Sequence, residues 1–502
     1  MEYPKKSCAA DGDQRTNVPT YHRTSCAADR KYRSAIVILA DGARADVIGE
    51  ELAAGRLPNI ARYLVRSGSD LPAVTSFPST TGPAYLPFLT GCFPGTCNVP
   101  GIRWFDKTRY DAGWSFDRYR SYVGLESFCM ASDMWPHIRT IFELLPDSLS
   151  IFNPIARGAR GRRNITRVSR IWHWYYAHLT DHWAFTDEAA LAKLRRALRK
   201  RASFVFCVFP GIDELSHLTH PRHEKTMERY RWLDEAVGAI AGDLIAQGDW
   251  ENTALFLVSD HGLSATHTHF CVNSFLEKHG LPAFFYPLIF QKKGKLSANM
   301  VSGNGMTHVY FKNSDGWSRH TVREELERHA PGILEDLLSH EAVDIVAIRN
   351  SEGGADALSR RGRARIRLDG AALHYEVQGS DPFGYNPLPS DLDPDQCLIR
   401  TLDSDYPDAP FQIAHLLTSP RAGDMVISAT PGFDLRLKYE HPEHRGSHGS
   451  LHASHMRVPM LTNVKLSQRP VRTADVFPTI LKLLGREIPG HIDGVPLEGR
   501  ES

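Results

Sequence analysis

The sequence predicts an α/β fold with a largely parallel sheet and helices on both faces, and three apolar runs carry that prediction. Ala35 to Ala40, Phe204 to Phe209 and Thr253 to Val258 are each continuous, rich in β-branched or aromatic residues, and closed by turn residues. Central parallel strands, buried on both faces, have this pattern. The runs end in Asp41-Gly42, Pro210-Gly211-Ile212-Asp213 and Ser259-Asp260-His261-Gly262. Between the last two, Met227, Tyr230, Val237, Ile240 and Leu244 recur at helical spacing, which predicts a long crossover helix between neighbouring strands. Val476 to Leu484 reads as a short amphipathic helix with Gly485 at its C-terminal cap. Residues 271–399 break the rhythm with scattered strands, a basic stretch from Arg360 to Arg367 and a hairpin about Asp369-Gly370. They are expected to form a smaller α+β subdomain inserted into a core of residues 31–270 and 400–502. Residues 106–200 are irregular and read as a cap over the site, and residues 1–30, polar throughout, as a mobile tail.

Composition narrows the function. The 502 residues are 42% hydrophobic and 23% charged, with 59 Lys+Arg against 58 Asp+Glu and a net charge of +1. Such a chain is neither disordered nor driven onto nucleic acid by bulk charge. No apolar run approaches the roughly 18 residues of a membrane span, and no apolar leader precedes the first strand, so a cytoplasmic protein is expected. Eight cysteines occur without paired CxxC knuckles, and reduced thiols are the default. The Ser-Cys-Ala-Ala-Asp repeated at 7–11 and 25–29 carries no metal or redox spacing.

Asp41, Asp213 and Asp260 each follow a predicted strand, at the carboxyl rim where open α/β sheets bind ligands. His217 lies four residues after Asp213, His261 adjoins Asp260, and His448 sits in a Gly446-Ser447-His448-Gly449 loop. One such residue alone is more often a turn or capping group. As a set, carboxylates on one rim need compensation, and three Asp with three His suit two divalent ions. In Ser76-Phe77-Pro78-Ser79-Thr80-Thr81-Gly82-Pro83, the proline marks a helix start, which places Thr81 where amide groups favour an alkoxide and a phosphate. On local sequence alone an N-cap role for Thr80 or Thr81 is the more usual reading; coordination by a metal would favour Thr81 as a nucleophile.

These pieces resemble the alkaline phosphatase superfamily, most closely its type I phosphodiesterase and nucleotide pyrophosphatase branch. The match rests on Ile38 to Arg44 (ILADGAR), Phe77 to Gly91 (FPSTTGPAYLPFLTG), Asp213 to His217, Ser259 to Gly262 (SDHG), Gly446 to Gly449, and Asp475 to Thr479 with Gly494 to Leu497, in that order. The resemblance implies an alkaline-phosphatase-like core. It also implies that Asp41, Asp260 and His261 hold one ion with the Thr81 oxygen, and Asp213, His217 and His448 the other. Zinc is the expected metal and manganese the alternative. The activity implied is hydrolysis of a phosphodiester or pyrophosphate bond through a covalent phospho-threonine. Transfer to an alcohol, phosphomonoester hydrolysis and a degenerate binding module are the alternatives. A small phosphorylated substrate, whether nucleotide, phosphodiester or lipid headgroup, is the expected partner, and the oligomeric state is left open.

The chain departs from that branch where Gly101-Ile102 leads into Arg103-Trp104 rather than Asn. Arg103 could clamp a phosphoryl group and Trp104 stack on a base or line a pocket; a surface arginine and a core tryptophan are the alternatives. Cys92-Phe93-Pro94-Gly95-Thr96 lacks the arginine of a sulfatase motif. The arginines from 157 to 170, next to Trp172, Trp174, Tyr175, Tyr176 and Trp183, read either as a solvated loop beside a packed helix or as a contact with anionic headgroups.

Overall fold

A computed structural model describes residues 32–109, 118–436 and 443–499. The tail expected over residues 1–30 lies outside them. The three apolar runs form the strands Ser34–Ala40, Phe204–Phe209 and Thr253–Val258. They stand in a six-stranded sheet, with Ser34–Ala40 flanked in parallel by the other two. Leu149–Ile151 continues the parallel part beyond Phe204–Phe209, and Met460–Thr462 adds an antiparallel strand on the other side. Leu39 is level with both Val208 and Val258, so the three strands end together and deliver their loops to one rim.

The expected long helix is Glu224–Ala246, with Tyr230, Val237, Ile240 and Leu244 buried. It does not join neighbouring strands: Ser34–Ala40 lies between the two strands it connects, so the crossover passes over a strand. Hydrophobic residues of the central strands are buried on both faces in one core with the helices Trp183–Leu198, Glu224–Ala246 and Val476–Leu483. Gly485 follows the last of these in the left-handed region, at φ 61°.

A second, nine-stranded sheet runs past the boundary expected at residue 399. Its fourth strand is Met425–Ala429, paired between Met306–Phe311 and Val343–Arg349. Hydrogen bonding to both neighbours, rather than sequence distance, decides that membership. The predicted hairpin is present, with Asp369 opposite Ala372. The stretch 106–200 is not one cap: Leu149–Ile151 extends the central sheet, and Trp183–Leu198 packs into the main core through Ala190 and Leu194. Among the described residues no helix is long and apolar enough to cross a membrane.

Phe256 is fully buried and sits between Val37 and Thr462 in adjacent strands. Its truncation to Ala leaves a void that this sheet cannot close. Denaturant unfolding is expected to show a loss of about 3–5 kcal/mol; a loss under about 1 kcal/mol would contradict this packing.

Candidate metal and nucleophile site

The sheet rim brings together residues separated by up to some 400 positions in the chain. Asp41 immediately follows Ser34–Ala40, and Asp260 follows Thr253–Val258 with one intervening serine. Asp213 and His217 lie one turn apart on the helix Gly211–Leu218, with His217 Nε2 3.4 Å from Asp213 Oδ1. The short strand Gly446–Ser447, which carries the chain into His448, pairs with Ser264 and Ala265 just beyond His261. Gly42 makes the crowding possible: at φ 70°, a Cβ there would lie 2.8 Å from Asp213 Cα.

All six predicted ligands converge. His261 Nε2 stands 3.2 Å from Asp260 Oδ2 and 3.5 Å from Asp41 Oδ1. Two groups have ligand atoms mutually within 4.8 Å: Asp213 with His217 and His448, and Asp41 with Asp213 and His261. Asp213 therefore belongs to both groups, whereas the resemblance assigned it to one ion only.

Each imidazole is oriented by a backbone carbonyl. His217 Nδ1 lies 2.7 Å from the Gly446 oxygen, His448 Nδ1 3.0 Å from the Ser79 oxygen, and His261 Nδ1 3.2 Å from the Gly262 oxygen. A carbonyl only accepts, so each Nδ1 carries the hydrogen and each Nε2 presents a lone pair. Second partners of this kind fix the tautomer of metal-ligating histidines.

The electrostatics call for cations. Burial pushes the Asp41 carboxyl up to about 6, against hydrogen bonds from Tyr85, Asp260 and Thr81 that lower it. Asp213 and Asp260 are raised well above the carboxylate range, first by burial and then by the Asp41 charge. Burial also presses His217 down to about 4 and His261 to about 3, and drives His448 well below the usual range, so all three imidazoles are neutral. Asp213 Oδ1 and Asp260 Oδ2 are buried without a hydrogen-bond partner among the described residues. Three crowded carboxylates, three neutral nitrogen donors and two orphaned oxygens fit a pair of divalent ions.

Thr81 does not cap the helix that follows. Gly82 holds the cap position of Pro83–Tyr85 without a side-chain hydrogen bond. The Thr81 hydroxyl instead lies 3.0 Å from His261 Nε2 and 3.4 Å from Asp41 Oδ1. Thr81 is half-buried, whereas the six predicted ligands are buried, so it is the most accessible residue of the set. Thr80 is fully buried, with its hydroxyl turned to no partner among the described residues.

The Arg103 and Trp104 expectations fare differently. Arg103 is buried rather than on the surface; its Nε donates to Ser121 Oγ at 3.1 Å and its Nη1 to the Val301 carbonyl at 3.0 Å. It borders a cleft with Asn299 and Arg436. Trp104 is core: it is fully buried, its Nε1 donates to Tyr122 at 2.9 Å, and the Arg421 guanidinium covers its ring at 4.2 Å. An indole closed in this way offers no face to a base, which corrects the expected substrate contact.

Four contributors escaped the sequence reading. The Tyr85 hydroxyl donates to Asp41 Oδ2, and its position one turn beyond Thr81 was the available signal. The Ser79 carbonyl that orients His448 leaves no side-chain trace. His444, four residues before His448, packs its ring 4.3 Å from His217. Burial foremost, then His217, Arg436, His178 and Arg103, hold its pKa down at about 2. Asn304, in the turn between Ser297–Ser302 and Met306–Phe311 of the second sheet, pairs with His448, a contact that sequence distance concealed.

The family model described as type I phosphodiesterase / nucleotide pyrophosphatase matches residues 35–451, and the chain belongs to that family. It is a hydrolase of phosphate ester or anhydride bonds. No curated protein matches the sequence. Among solved structures, phosphonoacetate hydrolase from Sinorhizobium meliloti 1021 in complex with phosphonoacetate is similar at 14% identity and TM-score 0.55, covering 90% of this chain and 96% of that one. Murine ectonucleotide pyrophosphatase / phosphodiesterase 5 is similar at 13% identity and TM-score 0.55, covering 93% and 97%. The human protein of the same name gives 13% and 0.53, again covering 93% and 97%. At these identities the likeness establishes the alkaline-phosphatase-like fold alone.

Divalent-ion loading should weaken with acid. The proton that Asp41 retains up to about pH 6 must leave when a cation enters, and the raised Asp213 and Asp260 add to this. Below that pH, affinity is expected to fall about tenfold or more per unit. Chelator competition between pH 5 and 8 reads it, and a flat profile would reject the buried-carboxylate site.

Proposed function

We propose that this chain cleaves a phosphodiester or pyrophosphate bond through a covalent phospho-threonine on Thr81. The observation that carries the reading is the hydroxyl of the half-buried Thr81 beside His261 and Asp41, at the edge of the buried donor set. Two divalent ions belong to the proposal, zinc first and manganese as the alternative. Asp41, Asp260 and His261 would hold one together with the Thr81 oxygen, and Asp213, His217 and His448 the other. Bound there, such ions supply Lewis acidity and neutralise the charge of the transferring phosphoryl group.

The chain's own residues do the positioning. Helix geometry holds Asp213 and His217 on one face, and three backbone carbonyls fix the imidazoles, so the site meets a phosphoryl group with little reorganisation. In the first step the Thr81 oxygen forms a bond to phosphorus as the bond to the leaving oxygen breaks. In the second, water takes the phosphoryl group, and the threonine hydroxyl is regenerated. Arg103, charged and buried near His444, would add its guanidinium to the anionic part of a substrate. The substrate class is a small phosphorylated molecule. A cytosolic setting accords with the six described cysteines, all free thiols.

Thr81→Ala is expected to abolish turnover of aryl phosphodiesters and nucleotide pyrophosphates while metal content and thermal unfolding stay as in the parent. Thr81→Ser should retain measurable turnover. Normal activity in the alanine variant would reject the nucleophile. Product analysis with an added alcohol should show release to water; predominant transfer to the alcohol would reassign the enzyme as a phosphotransferase.

A further inference from the structure

The helix Ser169–Thr180 is arranged the wrong way round for a water-soluble surface. It buries Arg170, His173 and Ala177. Val168, Trp172 and Leu179 are exposed at 78%, 56% and 82%, and Tyr175 and Tyr176 are exposed beside them. Positions 168, 172, 175, 176 and 179 form one stripe along a helix, so the apolar face looks outward. The rings are organised rather than scattered. Trp172 and Tyr176 stack at 5.2 Å, and the exposed Phe185 of the next helix packs 5.8 Å from Trp172 and 5.4 Å from Tyr176. Contiguous exposed patches of this kind mark interaction sites.

The charge beside the stripe narrows the partner. Between Arg157 and Phe185 the chain carries six arginines and one carboxylate, Asp181. Arg157 is engaged by Glu143 at 3.2 Å, and Arg170 is buried with its guanidinium 4.7 Å from the Phe128 ring. Arg160, Arg162, Arg163 and Arg167 are exposed. A two-fold contact through this face would bring together two surfaces that each carry four exposed arginines and one carboxylate, which disfavours self-association. Trp and Tyr rings flanked by arginines suit the headgroup layer of a membrane, and 12 residues are too few to span one.

We propose that the outward face of Ser169–Thr180, with the arginines that precede it, docks this protein onto an anionic lipid bilayer. The buried face of the same helix, opposite this stripe, leads toward the Thr81 loop. Arg170 donates to Ser127 Oγ at 3.1 Å, and Met130 of the same segment lies against Gly82, where a Cβ would be 2.6 Å from its Cε. The surface stands independently of the role given to Thr81.

Sedimentation of the full chain with vesicles tests it. Binding to phosphatidylcholine vesicles containing phosphatidylserine should exceed binding to phosphatidylcholine alone by about tenfold or more, and should weaken with salt. Trp172→Ala with Leu179→Ala should lower binding about tenfold, and Arg162→Gln with Arg163→Gln should remove the preference for phosphatidylserine. Thermal unfolding like that of the parent shows that these variants fold. The proposal is overturned if no vesicle binds the protein or if the variants bind as the parent does. A concentration-dependent dimer that Trp172→Ala with Leu179→Ala dissolves would overturn it too, by giving the face to a second copy.

Discussion

Mutual repulsion among three buried carboxylates governs the architecture of this protein. Asp41, Asp213 and Asp260 stand at one sheet rim, each raised above its ordinary pKa by burial, and among the described residues no arginine or lysine is felt by these three carboxyls. Burying like charges is unfavourable by several kcal/mol unless something positive joins them. The structure accepts that strain because the strands that lead to the carboxylates are buried on both faces within the main core. The sheet provides the rigidity, and the rim holds the charge that rigidity makes possible.

Around this centre the histidines are set by contacts that span the fold. His217 is fixed by the carbonyl of Gly446, His448 by that of Ser79, and the ring of His448 stacks 3.8 Å from His261. Gly303 and Asn304 bring the second sheet against His448: a Cβ on Gly303 would lie 2.7 Å from its Nδ1. The second sheet is thus part of the site's support, although none of the six predicted ligands comes from its strands. Arg103 ties the same region together through the Val301 carbonyl, just ahead of Gly303.

The central strands were legible because a strand buried on both faces must be apolar without interruption, and the strand limits observed fall within a residue of the runs read from the sequence. The three carboxylates of the candidate site were legible because acidic residues placed just after such strands reach one rim. Strand order was not legible: the helix Glu224–Ala246 has the same periodicity whether it crosses to the next strand or over one. Nor was the extent of the second sheet, since Met425–Ala429 is short and apolar and would fit either sheet equally well. Trp104 was ambiguous because an indole suits both a core and a ligand pocket, and only its closure by Tyr122 and Arg421 settled the matter.

By itself the sequence determined the chemistry on offer: which side chains can bind a cation, which hydroxyl precedes a helix, and which runs must be buried. Those properties are local, set by residue type and by spacing within one element. Tertiary structure alone decided which of them meet. It turned the Thr81 hydroxyl toward His261 instead of into a cap, assigned each imidazole proton through carbonyls that leave no side-chain signature, and left Trp172 and its neighbours facing outward. Contacts between residues hundreds of positions apart depend on the packing of whole elements, and no short window of sequence carries that information.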